Sequence, residues 1–266
     1  QAEPAQLNVV PTRSPYTPQP GKPDEKAGRV AFESLEAAVE DLQQQAIAAL
    51  VTLPINKAVI QQEGFAFPGH TEYLADRFGV SENMMLFVYR EFRLTLVTAH
   101  MPLAEVAAAI SQERLLERLS LLNDVLRSDF RIEAPKIAVL GLNPHAGDNG
   151  LLGSEEVEVI LPAMKEAQAQ GLDVHGPFPS DGFFVHDQYM HYDATLAMYH
   201  DQGLIPFKHI TKGAGVNCTA GMPVIRTSPD HGTAYDIAGQ GKADPASTNE
   251  AIRLALELVK RRKSAG

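Results

Sequence analysis

Apolar and polar positions alternate along this chain in patterns that predict both helices and strands. Over residues 30–50, apolar side chains recur every three or four positions, which predicts a helix with one apolar face. The following run, AIAALVTLP (46–54), predicts a helix end leading into a short buried strand. A brief helix over 71–78 then precedes MMLFVYR (84–90) and LTLVTAH (94–100), which predict adjacent strands.

Three further helices are predicted from residues that can cap a helix start. Ser111 precedes a stripe of leucine and valine side chains, and Ser154 precedes a segment that should end at Gly171. The last helix carries a capping-box pattern, Ser247 with Glu250, and a basic cluster near its C-terminus. This alternation of strands and helices predicts an α/β fold with mainly parallel sheets covered by helices.

Length and composition add an expectation about domain organisation. With 266 residues and 44% hydrophobic content, the chain lies near the size at which one core divides, which predicts two lobes. Six prolines stand within the first 28 residues, among few large apolar side chains. That segment predicts an extended arm rather than a strand or helix.

Charge and cysteine content narrow the possible partners. The formal net charge is -10 and no long basic run occurs, which argues against nucleic acid or an anionic membrane as the main partner. Any anionic substrate therefore needs local positive charge in its site. The single cysteine, Cys218, excludes an intrachain disulfide and reads as a small packed residue. No apolar stretch approaches the roughly 20 residues of a membrane span, so a cytoplasmic protein is expected.

Three histidines each close an apolar run: His100, His145 and His200. Each run predicts a strand, and ligands of α/β folds lie at the carboxyl ends of strands. Taken singly, each histidine could equally belong to a strand-end turn or serve a structural role. Together they could hold a divalent metal such as Zn²⁺ or Co²⁺, which neutral imidazole binds well. Their separations of 45 residues (145 minus 100) and 55 residues (200 minus 145) exclude a zinc finger, so the fold must assemble the site.

Other polar side chains near these runs could bind or transform a substrate. Asp201 stands beside His200, where it could orient the imidazole, accept a proton or simply be solvated. His70 and Thr71 begin a predicted helix, where free backbone amides either attract an anion or are capped. Three later residues could bind phosphate or carboxylate, although scattered surface cations would explain two of them: Lys208, Asn217 and Arg226.

Several common nucleotide and catalytic motifs do not occur in the sequence. There is no G-x-G-x-x-G fingerprint, no P-loop and no G-x-S-x-G elbow. A standard Rossmann site, a nucleotide triphosphatase and a serine hydrolase of the elbow type are therefore disfavoured.

Longer motifs resemble those of the 4-hydroxythreonine-4-phosphate dehydrogenase family of vitamin B6 biosynthesis. They are VTLPINK (51–57), FPGHTE (67–72), GLNPHAGDNG (141–150), GPFPSDGFF (176–184), AMYHDQG (197–203) and the run at 215–244. They follow one another in order from about Leu50 to the end of the chain. The segment HGTAYDIAGQGKADP (231–245) is also similar to the cofactor loop of isocitrate and isopropylmalate dehydrogenases.

The resemblance implies a two-lobed fold of the isocitrate dehydrogenase type and an oxidative decarboxylation. The substrate's C3 hydroxyl is oxidised by NAD or NADP, and loss of CO₂ then gives 3-amino-2-oxopropyl phosphate. Residues 1–68 and 205–266 would form the lobe on the cofactor side. Residues 69–204 would form the lobe for metal, substrate and dimerisation.

The resemblance also assigns roles to individual residues. A divalent metal is held by His100, His145 and His200, with His200 supplied by the second subunit of a homodimer. Asp181 and Asp201 are the acidic residues near the substrate. Substrate binding falls to His70, Thr71, Lys208, Asn217 and Arg226, and the cofactor loop contains His231, Gly232 and Asp236.

One departure from the family keeps other functions open. Family members begin with a strand and a turn rich in glycine and proline, about one βα unit ahead of the arm that opens this chain. This predicts a cofactor-side lobe without its first βα unit, through truncation or true loss. The alternatives are a related dehydrogenase for 4-phosphothreonate or an aromatic dihydrodiol, a metal-dependent lyase or hydrolase without nicotinamide, and an inactive metal-binding fragment.

Overall fold

One eight-stranded sheet organises the residues described by the computed structural model, Gln6 and residues 8–264. The strands are β1 (Ala49–Val51), β2 (Met84–Tyr89), β3 (Phe92–Leu96), β4 (Lys136–Leu140), β5 (Asp173–Phe178), β6 (Ala194–Ala197), β7 (Val216–Ala220) and β8 (Ile225–Pro229). They lie side by side in the order β1-β8-β7-β2-β3-β6-β4-β5. The two predicted strands are present as the neighbours β2 and β3, although β3 begins at Phe92 and ends at Leu96, before the predicted end at His100.

The strand pairs are mixed in direction but mostly parallel. Four neighbouring pairs are parallel, including the continuous run β3-β6-β4-β5. The three pairs that join β3, β2, β7 and β8 are antiparallel. The strands assigned to the two predicted lobes meet between β7 and β2, although the sheet itself continues across that point. The α/β class is confirmed, and the division into lobes stays a prediction.

Helices follow most strands. They are α1 (Glu25–Gln43), α2 (Lys57–Gln62), α3 (His70–Phe78), α4 (Val106–Ala109), α5 (Gln112–Ser128), α6 (Leu161–Ala169), α7 (Ser180–Val185), α8 (His200–Thr211) and α9 (Ala246–Lys263). Among the described residues, no helix is both apolar enough and long enough to cross a membrane.

Both faces of the sheet are covered, because alternate strand residues point to opposite sides. On one face, Ile137 and Val139 of β4 pack in a core with the apolar stripes of α5, α6 and α9. On the other face, Ala138 and Leu140 belong to a core with side chains from α7 and α8. A third core joins α1, α2 and α3 to Leu50 of β1.

The predicted helix starts have mixed outcomes. The Ser111 hydroxyl accepts a hydrogen bond from the backbone N–H of Arg114 at 3.2 Å, which confirms it as the cap of α5. Ser154 does not cap its helix in this way, because its hydroxyl binds the carboxylate of Glu158 at 3.0 Å instead. That helix opens with a π-helical turn over Glu156–Ile160, and Gln170 and Gly171 follow its last turn.

The capping box predicted for α9 is wrong. The buried Ser247 hydroxyl donates to the carbonyl oxygen of Gly215 at 2.6 Å and accepts from the backbone N–H of Asp230 at 3.0 Å. Two backbone groups beside β7 and β8 therefore use the hydroxyl that the helix start would need. Glu250 pairs with Arg253 on the exposed side of the same helix.

The predicted arm is confirmed over its described part. Residues 8–23 form neither helix nor strand, while Pro4 lies outside the described residues. The arm is fixed to α1 by Ser14, whose hydroxyl donates to the carboxylate of Glu33 at 2.6 Å. The same carboxylate accepts from the Ser14 backbone N–H at 2.9 Å.

Candidate active site

The predicted metal ligands follow three strands that are neighbours in the sheet. His100 comes after β3, His145 after β4 and His200 after β6, and these strands lie in the order β3-β6-β4 with all pairs parallel. Their carboxyl ends therefore share one edge, as the α/β pattern leads one to expect. Three adjoining clefts open along this edge.

The first of these, the cationic cleft, has a volume of about 350 Å³. Its polar wall is formed by Lys57, His70, Thr71, Glu72, Asn83, His100, Arg114, Arg118, Asn217 and Arg226. Four of the predicted substrate-binding residues are thus brought together: His70, Thr71, Asn217 and Arg226. Positive charge predominates, although the whole chain carries a net charge of -10.

Arg226 is the most unusual group of the cationic cleft, because its guanidinium is 5% exposed and has no carboxylate partner in the described part of the chain. It donates two hydrogen bonds to the hydroxyl of Thr52, at 3.0 and 2.7 Å, and one to the hydroxyl of Thr219 at 3.0 Å. Burial lowers the pKa of Arg226 to about 10. A buried cation held by neutral hydroxyls favours an anionic ligand.

Asn217 and Thr71 add neutral hydrogen-bonding groups to the cationic cleft. The Oδ1 atom of Asn217 is buried and has no hydrogen-bond partner within the described residues. Such an atom is costly unless a ligand or water satisfies it. The Thr71 hydroxyl lies 3.5 Å from that of Thr219 and does not cap α3. Both side chains are therefore available to a bound molecule.

His70 begins α3, and the surrounding groups keep its imidazole neutral. Burial, reinforced by the charges of Arg226 and Lys57, lowers the pKa of His70 to about 3. The N-cap position belongs to Gly69, with no side-chain capping bond. A neutral imidazole can either donate or accept a hydrogen bond, according to its tautomer.

His100 and His200 lie next to each other within one chain. Their ring centroids are 6.1 Å apart with the planes tilted by 41°. The Nδ1 atom of His200 lies 2.7 Å from Oδ1 of Asp201, which leaves Nε2 of His200 unengaged by that bond. Both histidines line a second cleft of about 530 Å³, which also contains Asp201. An acid that orients a ligand histidine in this way is common at metal sites.

His145 lies in a loop with unusual backbone geometry. Residues 145–149 all have φ between +42° and +78°, a left-handed conformation that only glycine adopts without cost. The loop borders a third cleft of about 680 Å³, together with Asp181 and Asp201. Asp201 therefore connects the second and third clefts.

The three histidines do not form a closed metal site in this arrangement. In the described part of the chain, no group of three or more His, Cys, Asp or Glu side chains is placed to hold a metal ion. His100 and His200 are brought together, whereas His145 lines a different cleft, which it shares with Asp201. The three-histidine site stays a prediction.

Two groups of predicted residues lie away from the cationic cleft. Lys208, on α8, binds the carboxylate of Asp230 at 3.3 Å. His231, Gly232 and Asp236 lie on an exposed loop, where Nδ1 of His231 is 2.9 Å from the carbonyl oxygen of Gly232. Cys218 is buried in β7, and burial raises the pKa of its thiol to about 12, which agrees with a packed, unreactive residue.

Sequence reasoning missed three cations of the cationic cleft: Lys57, Arg114 and Arg118. Lys57 ends the motif VTLPINK, so its position next to a family motif was an available signal. The two arginines are four residues apart on α5, beside the leucine stripe. Only their spacing could have placed them on a common helix face.

This chain is similar to known proteins over most of its length. The family model described as pyridoxal phosphate biosynthetic protein PdxA matches residues 1–255. A 4-hydroxythreonine-4-phosphate dehydrogenase of Bacteroides thetaiotaomicron is 51% identical over 91% of this chain and 67% of its own length. The corresponding protein of Chromobacterium violaceum is 47% identical over 94% of this chain and 76% of its own length.

Solved structures agree with these sequence relatives. The crystal structure of 4-hydroxythreonine-4-phosphate dehydrogenase from Klebsiella pneumoniae is 39% identical, with a TM-score of 0.84 over 94% of this chain and 75% of that one. A terephthalate 1,2-cis-dihydrodiol dehydrogenase from Burkholderia xenovorans is 27% identical, with a TM-score of 0.65 over 90% of this chain and 76% of that one. The chain therefore belongs to the PdxA family of pyridoxal phosphate biosynthetic proteins.

Proposed function

We propose that this chain is a 4-hydroxythreonine-4-phosphate dehydrogenase that depends on NAD or NADP and on a divalent metal. It oxidises the C3 hydroxyl of its substrate, and the resulting β-keto acid loses CO₂ to give 3-amino-2-oxopropyl phosphate for pyridoxal phosphate biosynthesis. The observation that carries this proposal is the buried, carboxylate-free Arg226 in a cleft that also reaches His100. The names of the relatives support it.

The cationic cleft suits the phosphate of such a substrate. The Arg226 guanidinium supplies charge-assisted donors, and Asn217, Thr71 and His70 supply neutral groups around it. Lys208 is a proposed further phosphate ligand that would exchange its contact with Asp230 for one with substrate, in its own chain or in a partner.

The imidazole nitrogens of the three histidines are possible ligands for a catalytic Zn²⁺, Co²⁺ or Mg²⁺ ion. Of these ions, imidazole favours Zn²⁺ and Co²⁺. His100, His145 and His200 would hold the ion, with His200 supplied by either chain of a proposed homodimer. When bound, such an ion acidifies the C3 hydroxyl and stabilises the negative charge formed as CO₂ leaves. The carboxylate of Asp201 orients the His200 ring from the Nδ1 side.

The remaining steps transfer one hydride and two protons. Asp201 would accept the proton of the C3 hydroxyl, and a bound nicotinamide would supply the acceptor for the C3 hydrogen and its electron pair. After C1 leaves as CO₂, C2 takes up a proton, for which Asp181 is the proposed second acidic group. The loop with His231, Gly232 and Asp236 is the proposed contact for the cofactor. A reducing cytoplasm as the location agrees with the single buried thiol.

Absorbance at 340 nm tests the reaction directly. The purified chain is mixed with 4-hydroxythreonine 4-phosphate and either NAD or NADP, with each divalent metal and with chelator. NADH or NADPH should form only when metal is present. The Asp201→Asn variant should form the reduced cofactor about 100-fold more slowly, or slower still. The matched control is His191→Asn, an exposed imidazole outside the three clefts. Consumption of the substrate without reduced cofactor, giving products at the same oxidation level such as glycine and glycolaldehyde phosphate, would contradict the redox proposal and favour a lyase.

A second candidate is a dehydrogenase for a different anionic substrate. The structural match to the terephthalate dihydrodiol dehydrogenase is the observation that favours it. A panel containing 4-phosphothreonate and the dihydrodiol separates the candidates by kcat/KM. A higher kcat/KM for the dihydrodiol would contradict the proposal that the substrate carries a phosphate group.

A further inference from the structure

Arg114 and Arg118 form a pair of cations on the α5 wall of the cationic cleft. They are four residues apart, so their side chains lie on the same side of the helix. The Arg114 Nε atom donates to the carbonyl oxygen of Val97 at 3.2 Å. An Arg118 NH1 atom donates to the carbonyl oxygen of Asn83 at 2.7 Å. Neutral backbone groups thus fix both guanidiniums while leaving other N–H donors of each free for a ligand.

Neither guanidinium has a carboxylate within 4.0 Å in the described part of the chain. Arg253 and Arg262, in contrast, each bind an acidic side chain. Both members of the pair are partly buried. Burial and then the neighbouring Arg114 charge lower the pKa of Arg118, and the carboxylates of Glu82 and Glu117 offset only part of this effect. An anion between the two guanidiniums would relieve the repulsion between their charges.

Arg114 and Arg118 give the cationic cleft more positive charge than the binding of a phosphate group alone requires. Arg226 and Lys57 already line the cationic cleft, and Glu72 is the acidic side chain on its wall. Arg226 reaches the cleft from β8, whereas Arg114 and Arg118 reach it from α5. Two separate cationic elements around one small cavity suit a ligand with an anionic group at each end.

We propose that Arg114 and Arg118 form a second anion subsite, which binds the carboxylate of a substrate whose phosphate lies against Arg226. The inference rests on the proposed function, because it assigns one end of that substrate to each cationic wall. It makes the α5 pair a specificity determinant. A phosphorylated ligand without a carboxylate should bind less tightly.

Two unreactive ligands isolate the carboxylate. O-phosphohomoserine is the proposed substrate without its C3 hydroxyl, and 3-aminopropyl phosphate is the same molecule without the carboxylate. Calorimetric titration of each into the full chain gives two values of Kd. Their ratio measures what the carboxylate contributes, independently of turnover.

The variants separate the two anion sites. Arg114→Gln/Arg118→Gln removes the proposed subsite, and Arg114→Lys/Arg118→Lys keeps its charge. Arg127→Gln is the matched control, because Arg127 lies on α5 but is exposed and outside the cleft. Arg226→Gln removes the guanidinium proposed to bind the phosphate, so it shows how much that group contributes to the binding of each ligand. Circular dichroism melts select the variants that fold, and the single variants Arg114→Gln and Arg118→Gln replace the Gln pair if the pair does not fold.

The native chain should bind O-phosphohomoserine at least tenfold more tightly than 3-aminopropyl phosphate. The Gln pair should bring that ratio close to one by weakening only the carboxylate ligand, while the Lys pair and Arg127→Gln keep most of it. A ratio near one in the native chain, or equal weakening of both ligands by the Gln pair, would overturn the inference. If the inference fails in this way, the proposed function still stands provided that Arg226→Gln weakens the binding of both ligands and that the native chain reduces NAD or NADP.

Discussion

Glu156 binds Asn143 through both of its carboxylate oxygens. Oε1 accepts from the Asn143 backbone N–H at 2.7 Å, and Oε2 accepts from the Asn143 side-chain amide at 2.9 Å. The carboxylate also accepts from the backbone N–H of Leu142 at 2.7 Å and is 1% exposed. These bonds secure the start of the left-handed loop that carries His145, and they offset part of its conformational cost.

Replacing Glu156 with Gln should therefore destabilise the protein. The Gln amide places N–H donors where the carboxylate accepts them, so at least one buried N–H loses its partner, and the free energy of unfolding should fall by about 2 kcal/mol. Urea denaturation measures this change. Glu158→Gln is the matched control, since Glu158 lies two residues away and is exposed. Equal stability of the two variants would show that the carboxylate does not hold the loop.

His70 should make the protein less stable in acid. Its pKa is about 3 in the folded chain against an ordinary value of 6.5, so the unfolded state binds more protons between these limits. The free energy of unfolding should fall as pH falls below 6.5, with a slope approaching about 1.4 kcal/mol per pH unit. His70→Gln should reduce that slope, whereas the exposed His191→Gln should not. Urea midpoints across this pH range provide the measurement, and parallel curves would contradict the buried neutral imidazole.

Arg226 should make stability depend on phosphate. Inorganic phosphate at about 100 times its Kd should stabilise the native chain by about 2.7 kcal/mol, because it binds only the folded state. Arg226→Met should lose most of this gain, which thermal melts with phosphate and with chloride at matched ionic strength can show. Arg253→Met is the control, since that side chain is ion-paired on the surface of α9. An undiminished phosphate effect in Arg226→Met would place the anion elsewhere.

Cys218 should resist thiol-specific reagents in the native protein. Burial within β7 raises the pKa of its thiol to about 12, so almost no thiolate forms near neutral pH. Ellman's reagent at about pH 8 should react at least 100-fold more slowly with native protein than with protein unfolded in guanidinium. Rapid labelling of native protein, followed by mass spectrometry, would contradict this packing.

Much of the fold could be predicted because its signals are local. The apolar spacing around Leu35 and Val39 determines the buried face of α1, and Gly79 ends α3 in the left-handed conformation. The strand-end positions of the three histidines also followed from pattern alone. Sheet order did not, because nothing local indicates that β6 lies between β3 and β4.

The parts that could not be predicted depend on contacts between distant segments. Ser247 has the residue type of a cap, but its hydroxyl binds groups of Gly215 and Asp230. Arg114 and Arg118 belong to the site only because α5 packs beside the cationic cleft. Lys208 fits a phosphate-binding pattern, yet Asp230 occupies its ammonium group.

The pairing of β3 with β6 has a consequence for how the protein acquires its site during folding. His100 and His200 are neighbours although 100 residues separate them in sequence (200 minus 100), so their contact forms only when that long loop closes. Contacts of such long range form slowly and late. A nascent chain that ends before α8 therefore lacks His200, and contact between the two histidines reports that α8 has been made and that β3 and β6 have paired.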